Sequence, residues 1–430
     1  MAQNVNEEED SDSKSSKLEF VKVSKDSTLK AIIEKDMPVG PKEVPTPTFA
    51  VHTQNNKFIL TIGGYVNPVI GADFGNNLYK TDGAGISFVT SKIPVPAVAG
   101  HKSDVYINPF QGALSFQVTG FGGTENQVTG YFKIGTNGMS PGLNFLRAYL
   151  TYRGFTAGQK LTLMQDVYAC QPPTIDPEGP SGCISNVAYE LSYTSKSYNG
   201  FRFAAGLDYP SYYTSNGVYR GKDYPQYDGK MTVNADAFEQ NIPDIPMWVE
   251  YQQSPSMRVR VSGLIRNLMY KDMLTGKKHH DLGWAVMLSG NVQPVKPWTL
   301  YLQAVYGQGI GAYLQDVAGI PISYIPDDAN PGKMKATPMM GLNIGSSLNI
   351  GKRWQWNIMA SEARVWGVKD YALTNPDNDY KYGFYFATNV FYNITSYLQW
   401  GIEYLYGIHG TWANTTGHDN RIQTQLMFNF

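Results

Sequence analysis

The last ten residues of the chain, 421–430, alternate strictly between two kinds of side chain. One face carries Ile422, Thr424, Leu426, Phe428 and Phe430, and the other carries Arg421, Gln423, Gln425, Met427 and Asn429. Because side chains alternate across a β-strand, this pattern predicts a strand with one apolar face. A soluble sheet would need a second layer over that face, whereas a closed barrel in a membrane has lipid outside and water inside. The segment therefore suits a transmembrane barrel.

Composition agrees with a barrel and argues against other classes. Charged residues make up only 17% of the 430 residues, while Gly (43) and Tyr (30) are abundant. No segment offers the roughly 20 consecutive apolar residues of a spanning helix, but barrel strands never show such a run. The net charge of −1 argues against a nucleic-acid-binding protein, which would carry an excess of basic residues.

Alternating segments recur along the chain and number about sixteen, an even number typical of outer-membrane barrels. They are 57–74, 111–121, 127–135, 144–155, 159–165, 186–195, 201–208, 246–253, 256–270, 281–292, 299–307, 337–350, 353–366, 380–393, 397–407 and 421–430. The sequence thus predicts an all-β fold, a transmembrane antiparallel β-barrel over 46–430.

The connections differ in length. Tight joins are predicted at Asn199-Gly200, Ser254-Pro255, 294–297 and Gly351, and long ones at 210–242, 309–335 and 411–419. In outer-membrane barrels the short turns are periplasmic and the long loops extracellular, so we expect both termini in the periplasm. In the segment 380–393, parity predicts a lipid-facing set of Tyr380, Tyr382, Phe384, Phe386, Val390 and Tyr392.

Basic residues cluster on faces that parity turns toward the lumen. Seven of them are predicted to line the pore and bind anions: Arg147, Arg153, Lys160, Arg202, Arg258, Arg260 and Arg266. Same-face neighbours on a strand lie roughly 6 to 7 Å apart, and arginine binds carboxylate or phosphate in a fork. The competing interpretation is that some arginines neutralise Glu190, Glu250 and Glu403, which are also predicted to face inward.

The two cysteines, Cys170 and Cys183, lie in a Pro- and Gly-rich stretch. In an oxidising compartment they would form one local disulfide, and in the cytosol they would remain thiols. A zinc site would need further ligands, and none lies near this pair in the sequence.

The same stretch resembles a known porin feature. A Gly158-Gln159 strand leads into 170–183, in which Pro173, Thr174, Asp176, Gly179, Pro180 and Gly182 match in place. It is similar to the inward-folded third loop of trimeric outer-membrane porins of the DcaP-like dicarboxylate and phosphate-selective (O and P) types. The two cysteines and the stretch 160–163 depart from that pattern, so the family's ligand contacts are not transferred.

The resemblance implies a homotrimer of sixteen-stranded barrels that conducts small anionic solutes. A constriction loop at about 166–185 would contain Asp166, Cys170, Asp176, Glu178 and Cys183. A disulfide would stabilise this loop by roughly 3 kcal/mol and hold the constriction rigid. The alternative is a stapled surface loop without a role in permeation. Phe430 resembles the terminal aromatic signal that outer-membrane barrels present to their insertion machinery.

Residues 1–45 form a polar extension with seven Lys against ten Asp or Glu and one apolar patch, Leu29, Ile32 and Ile33. It has too little apolar surface for a core, so we expect a flexible periplasmic tail or a short helix that oligomerises or plugs the pore. The start lacks a secretory signal, which suggests a mature chain in which Met1 replaces a removed signal.

The sequence predicts no enzyme, cofactor or metal site. His279-His280 adjoins Lys277 and Lys278 in a basic patch without a recognisable nucleophile motif. The acidic runs 327–328 and 377–379 lack the EF-hand pattern for Ca²⁺. The favoured function is a passive outer-membrane porin whose partners are lipid, its own copies and small anions. The alternatives are a barrel lipase or protease and a secreted β-sandwich adhesin.

Overall fold

The computed structural model describes residues 18–23, 27–35, 49–53, 55–75, 87–95, 104–138, 143–210, 241–271, 276–318, 320, 322–327, 329–330, 333–374 and 379–430. Three features considered in the sequence lie outside these residues: the chain start 1–17, most of the connection 210–242, and the possible Ca²⁺ ligands Asp328, Asp377 and Asn378. Within the described ranges, no helix combines the length and apolar character needed to cross a membrane.

Antiparallel strands make up the fold. They are β1 Leu18–Lys22, β2 Phe49–Thr53, β3 Phe58–Val66, β4 Val69–Gly75, β5 Asp104–Asn108, β6 Phe110–Gly120, β7 Val128–Gly138, β8 Asn144–Tyr152, β9 Phe155–Leu161, β10 Val187–Thr194, β11 Phe201–Pro210, β12 Ile245–Ser254, β13 Met257–Lys271, β14 Lys278–Val295, β15 Trp298–Gln308, β16 Tyr324–Pro326, β17 Met334–Ala336, β18 Pro338–Ile350, β19 Trp354–Val365, β20 Tyr382–Asn393, β21 Leu398–Gly410 and β22 Thr416–Asn429. Helices α1 Ser27–Glu34 and α2 Lys369–Thr374 and the 3₁₀ turn Thr90–Lys92 lie between them.

The strands close into a barrel. The last strand, β22, pairs with β21 on one side and with β3 and β4 on the other. β3 and β4 share one position in the wall, interrupted at Asn67 and Pro68, and β5 and β6 share the next, interrupted at Pro109. Proline breaks these strands because it has no N–H for the ladder. With each interrupted pair counted once, the wall has sixteen antiparallel strands, which confirms the predicted fold class.

The two ends of the barrel differ as the sequence predicts. All four predicted tight joins lie at one end, which we call the turn end, together with Phe430 and the start of β3. Asn199 and Gly200 adopt φ values of 48° and 83° there, a conformation that Asn and Gly tolerate best. The opposite end, the loop end, carries the long connections.

Inside and outside follow the parity of the sequence, with Tyr380 as an exception. In β21, Gly401 and Glu403 are buried inside, and Ile402 and Tyr404 are exposed outside. Tyr380 was predicted to face lipid, but it precedes β20, is buried, and donates its O–H to Asp316 Oδ2 at 2.6 Å. The side chain of Tyr380 therefore packs among the loops and does not face lipid.

Several boundaries also need correction. β22 begins at Thr416, so Asp419 belongs to the strand and not to the predicted connection 411–419. Strand β5 lies wholly outside the predicted segments, because Pro109 separates it from the longer alternating run of β6.

The N-terminal segment packs at the turn end. β2 pairs with β1 and with the start of β3, beyond the point where β22 stops. The apolar patch Leu29, Ile32 and Ile33 lies on α1, and its side chains are buried with Ile59. Gln117 Nε2 donates to the Ile33 carbonyl at 2.9 Å, which satisfies one of the carbonyls that a helix end leaves unpaired.

The connection between β15 and β18 folds into the mouth of the barrel. Its apolar side chains, including Ile310, Leu314 and Val317, are buried with Leu264 and Leu268 of β13. This segment was predicted as an extracellular loop, 309–335. At the loop end, its described residues form a hydrophobic core and carry the short β16–β17 hairpin.

Candidate functional site

The connection between β9 and β10 lies inside the barrel. We call residues 166–185 the constriction loop. Its buried residues are Asp166, Ala169, Cys170, Gln171, Pro172, Ile175, Asp176, Gly179, Pro180, Ser181, Gly182, Cys183 and Ile184. Cys170 and Cys183 form a disulfide, as predicted, with their Cα atoms 6.1 Å apart. The bridge joins the two limbs of the loop.

One side of the interior, the inward faces of β18 to β21, holds this loop, and we call it the loop-bound wall. Glu403 accepts the backbone N–H groups of Ile175 at 3.0 Å and Asp176 at 2.8 Å. Asn389 Nδ2 donates to the carbonyl of Pro173 at 2.9 Å. The polar inward groups of this wall therefore bind protein backbone.

The returning limb of the loop touches the same wall. The N–H of Gly182 donates to Ser361 Oγ at 2.7 Å. A Cβ added at Gly341 on β18 would lie 2.2 Å from the carbonyl oxygen of Gly182. Glycine at position 341 thus permits the two backbones to approach closely.

The carboxylates of Asp176 and Glu178 on the constriction loop form hydrogen bonds within the protein. Asp176 accepts the N–H of Phe88 at 3.1 Å and the O–H of Tyr385 at 3.0 Å. Glu178 accepts the Ser87 hydroxyl at 3.1 Å and also binds Gln315. Both side chains hold neighbouring segments in place.

The opposite side of the interior is basic. We call the inward faces of β8 to β13 the basic wall, and its centre is Glu250 on β12, whose side chain has no exposed surface. Its carboxylate accepts hydrogen bonds from Arg202 Nε at 3.1 Å, Arg258 Nε at 2.7 Å and Arg260 Nη2 at 2.7 Å. Arg202 and Arg260 stand directly opposite Glu250 on its two neighbouring strands. One buried carboxylate therefore orients three guanidinium groups.

A second pair repeats this arrangement on β9 and β10. Lys160 Nζ lies 3.2 Å from Glu190 Oε1, and the lysine side chain is 26% exposed while the glutamate is fully buried. Arg202 is similarly 36% exposed above buried Glu250. In both pairs the cation is nearer the lumen than the carboxylate.

Asp166 ties the start of the constriction loop to the basic wall. Arg258 Nη1 donates to its Oδ2 at 3.0 Å, and the Ser289 hydroxyl donates to the same oxygen at 2.6 Å. Burial raises the pKa of Asp166, but the positive charges of Arg260 and Arg258 outweigh burial and hold it below its ordinary value of 3.8. Asp166 therefore stays ionised at neutral pH.

Between the basic wall and the constriction loop lies a cavity of about 1070 Å³. Its basic lining residues are Lys35, Arg147, Arg153, Lys160, Lys196, Arg202 and Arg260, and Glu125 is the one carboxylate among the described residues of the lining. The loop contributes Val167 and Tyr168, and the wall contributes Tyr149 and Trp248. A cavity lined by one sign of charge concentrates ions of the opposite sign.

The structure separates the seven predicted pore-lining residues. Arg147, Arg153, Lys160, Arg202 and Arg260 line the cavity, with Arg153 at its turn-end rim. Arg258 is almost fully buried between Glu250 and Asp166, which places it at the attachment of the loop and not opposite it.

The predicted lumen exposure of Arg266 and the predicted strand position of Arg153 are wrong. Arg266 has no exposed side-chain surface. It lies 2.9 Å from Asp244 and donates to the Gly309 carbonyl at 2.6 Å, because the β15–β18 connection covers it. Arg153 was predicted on a strand face, but β8 ends before it. With φ at 49° it forms the turn to β9, where its exposed guanidinium donates to Asn126 Oδ1 at 2.6 Å at the cavity's turn-end rim.

The competing interpretation, that some arginines neutralise Glu190, Glu250 and Glu403, is confirmed for Glu250, which pairs with three arginines. Inward parity identified Glu250 and Glu403, but the sequence does not give the strand register that sets Arg202 and Arg260 beside Glu250. Glu403 was considered as a partner for arginine. In the structure it accepts from loop backbone, from Asn389 and from Gln423 Nε2 at 2.8 Å.

The remaining candidate residues lie away from this cavity. Phe430 pairs through its backbone with Gly64, and its partly exposed ring stacks on Phe428 with centroids 6.0 Å apart. His279 stacks on Tyr270, and His280 hydrogen-bonds Asn267 at 2.9 Å. Within the ranges that the structure covers, no group of three or more His, Cys, Asp or Glu side chains is placed to hold a metal ion.

Comparison with known proteins agrees with this geometry. A family model described as the porin subfamily matches residues 114–428. No curated protein sequence matches the chain.

Solved structures show the same fold. The chain is similar to the outer membrane channel DcaP of Acinetobacter baumannii, with a TM-score of 0.67, 15% identity, and coverage of 87% of this chain and 97% of that one. It is also similar to an anion-selective porin from Comamonas acidovorans, with a TM-score of 0.54, 11% identity, and coverage of 87% and 100%. These comparisons confirm the predicted resemblance to DcaP-like porins.

Proposed function

The chain belongs to the porin subfamily and is an outer-membrane channel for passive diffusion of small hydrophilic solutes, and from this premise we propose that it prefers anions. The observation that carries the proposal is the lining of the cavity beside the constriction loop, where seven basic residues accompany one carboxylate among the described residues.

The ion pairs of the basic wall do not cancel its positive charge. Around Glu250 and Asp166, three guanidinium groups meet two carboxylates. In addition, Glu190 and Glu250 are buried, whereas Lys160 and Arg202 are partly exposed. An ion in the lumen is therefore closer to the cations, and the low-dielectric wall screens them less than bulk water would.

The preference for anions is tested by the reversal potential of the purified channel in a planar bilayer under a KCl gradient. We expect the potential to have the sign set by chloride permeation. A potential near zero, or one with the sign set by potassium, would refute the preference while leaving the channel itself intact. The Comamonas acidovorans porin is anion-selective, which is consistent with this expectation but concerns that protein.

We further propose that the turn end faces the periplasm, which would put both termini there. Short turns face the periplasm in outer-membrane barrels, and Phe430 and the N-terminal segment share the turn end here. A protease-sensitive tag placed before residue 18 should resist protease added to intact cells and be cleaved after the outer membrane is opened. Cleavage in intact cells would reverse the orientation.

We also propose a homotrimer, on the strength of the resemblance of the constriction loop to trimeric porins. The mass of the protein–detergent complex, corrected for detergent by light scattering, should correspond to three chains. A mass of one chain would contradict this assembly.

Catalysis is not part of the proposed function. His279 and His280 have ring and amide neighbours at the rim of β13 and β14, as described above, and such contacts do not form a nucleophile–base pair. Hydrolysis of a lipid ester or a peptide by the purified protein would revive the enzyme alternative.

A further inference from the structure

Cations of the basic wall lie over aromatic rings. Arg260 Cζ is 4.1 Å from the centroid of the Trp248 ring, Arg258 Cζ is 4.7 Å from that of Tyr168, and Lys160 Nζ is 5.9 Å from that of Tyr149. All three rings line the cavity beside the constriction loop. Charge alone is sufficient to concentrate small inorganic anions, and the rings add an aromatic surface that such anions do not contact.

Tyr168 is the most accessible of these rings. Trp248 and Tyr149 are buried in the wall, whereas Tyr168 lies on the constriction loop and is 38% exposed. Its backbone N–H donates to Asp166 Oδ1 at 3.1 Å, so the tie between the loop and Arg258 also fixes the position of the ring. Arg258 lies over this ring, and the ring's exposed surface belongs to the cavity.

The surroundings of Tyr168 are partly apolar. Val167 precedes it on the loop, and Leu161 and Leu163 line the same cavity from the end of β9 and the chain that follows it. The cavity therefore joins an apolar and aromatic surface to a cationic one. An anion with an apolar ring would use both surfaces, whereas acetate or phosphate would use only the charges.

We propose that this cavity contains a subsite for aromatic carboxylates, in which Tyr168 receives the ring of the solute and the cations of the basic wall receive its carboxylate. The inference rests on the proposed anion preference and specifies the class of anion. Aromatic pairs gain up to about a factor of ten in affinity beyond area burial, which is small enough for the solute to leave again. Weak binding of this kind suits a channel, since tight binding would stop diffusion.

The test measures how benzoate, cyclohexanecarboxylate and acetate each reduce the chloride current through single channels in a planar bilayer. All three are monocarboxylates that are ionised at neutral pH, and the first two have similar size. We expect half-block by benzoate at a concentration roughly three to ten times lower than for cyclohexanecarboxylate, with acetate the weakest. Equal block by benzoate and cyclohexanecarboxylate would overturn the proposal.

Variants of Tyr168 assign the effect to the ring. Tyr168→Phe keeps the ring and should retain the preference for benzoate, whereas Tyr168→Leu keeps an apolar side chain and should lose it. Tyr198→Ala, at an exposed turn tyrosine outside the cavity lining, should behave like the unaltered protein. A Leu variant that still discriminates benzoate from cyclohexanecarboxylate would overturn the assignment.

The same recordings separate the two proposals. The reversal potential in KCl reports the anion preference without any aromatic solute. An anion-selective channel that treats the three carboxylates alike would refute the subsite and leave the anion preference standing. A channel without anion preference would refute the proposed selectivity directly.

Discussion

The basic wall and the loop-bound wall both place carboxylates inside the barrel, but the carboxylates have different partners. On the loop-bound wall, Glu403 accepts two backbone N–H groups of the constriction loop. On the basic wall, Glu190 and Glu250 accept hydrogen bonds from cations whose other side meets the lumen. The comparison shows that an inward acidic residue can serve as a docking point for a loop or as a support for a cation. Parity in the sequence does not distinguish these roles.

Arg258 ties the basic wall to the constriction loop, and its loss should have the largest effect on stability. Arg258→Met removes the cation between Glu250 and Asp166 and leaves Asp166 buried with fewer partners. We expect a loss of about 3–5 kcal/mol in the free energy of unfolding, the usual cost of breaking a buried ion pair. Unfolding in detergent measures it. Arg153→Gln, at an exposed turn, should change stability by less than about 0.5 kcal/mol, and equal losses in both variants would contradict the role of Arg258.

The disulfide should have the next largest effect. Replacing Cys170 and Cys183 by alanine removes a bridge that closes a short loop, which costs roughly 3 kcal/mol on the chain-entropy model. The hydrogen bonds to the loop-bound wall remain, so single-channel recordings should show a noisier open level and the same mean selectivity. An unaltered unfolding midpoint would show that the wall alone fixes the loop.

Glu403→Gln tests the docking role of the loop-bound wall with a smaller change. Glutamine keeps one carbonyl oxygen, so one of the two loop N–H groups loses its acceptor at a cost of about 1–3 kcal/mol. Hydrogen exchange at Ile175 and Asp176 should become faster, while the reversal potential in KCl stays close to that of the unaltered protein. A large shift toward chloride selectivity would mean that Glu403 acts on permeating ions.

The pH dependence of the Asp166 tie should be the smallest effect near neutrality. Because the folded pKa of Asp166 lies below the ordinary 3.8, its stabilisation is present above that value and is lost as the pH falls through the folded pKa. The difference in unfolding midpoint between the unaltered protein and Asp166→Asn should therefore be constant from about pH 5 to 8 and shrink in more acidic buffer. A difference that disappears near pH 6 would show that the arginines do not hold the pKa down.

Local patterns in the sequence were enough to predict the barrel, its approximate strand count and which tight turns lie together at one end of it. The alternation of Ile422 and Leu426 against Gln423 and Gln425 is a property of one strand, and Asn199-Gly200 is a property of one turn, so neither needs knowledge of distant residues. The disulfide was one of two open alternatives because its formation depends on the compartment.

Other features depend on contacts that one sequence does not reveal. The register that sets Arg260 beside Glu250, and the pairing of Arg266 with Asp244, follow from how neighbouring strands align. The burial of Arg266 depends on the β15–β18 connection, whose apolar residues have no regular period. Arg153 was misplaced for a local reason, since the alternating pattern continues past the point where the chain turns.

We propose that the exposed cations of the basic wall set the selectivity of the channel. The most direct test is the reversal potential in a KCl gradient of a Lys160→Gln, Arg202→Gln double variant, compared with Arg353→Gln at an exposed turn. The double variant should shift toward potassium permeation, while Arg353→Gln should match the unaltered channel. Equal reversal potentials in all three proteins would contradict the claim.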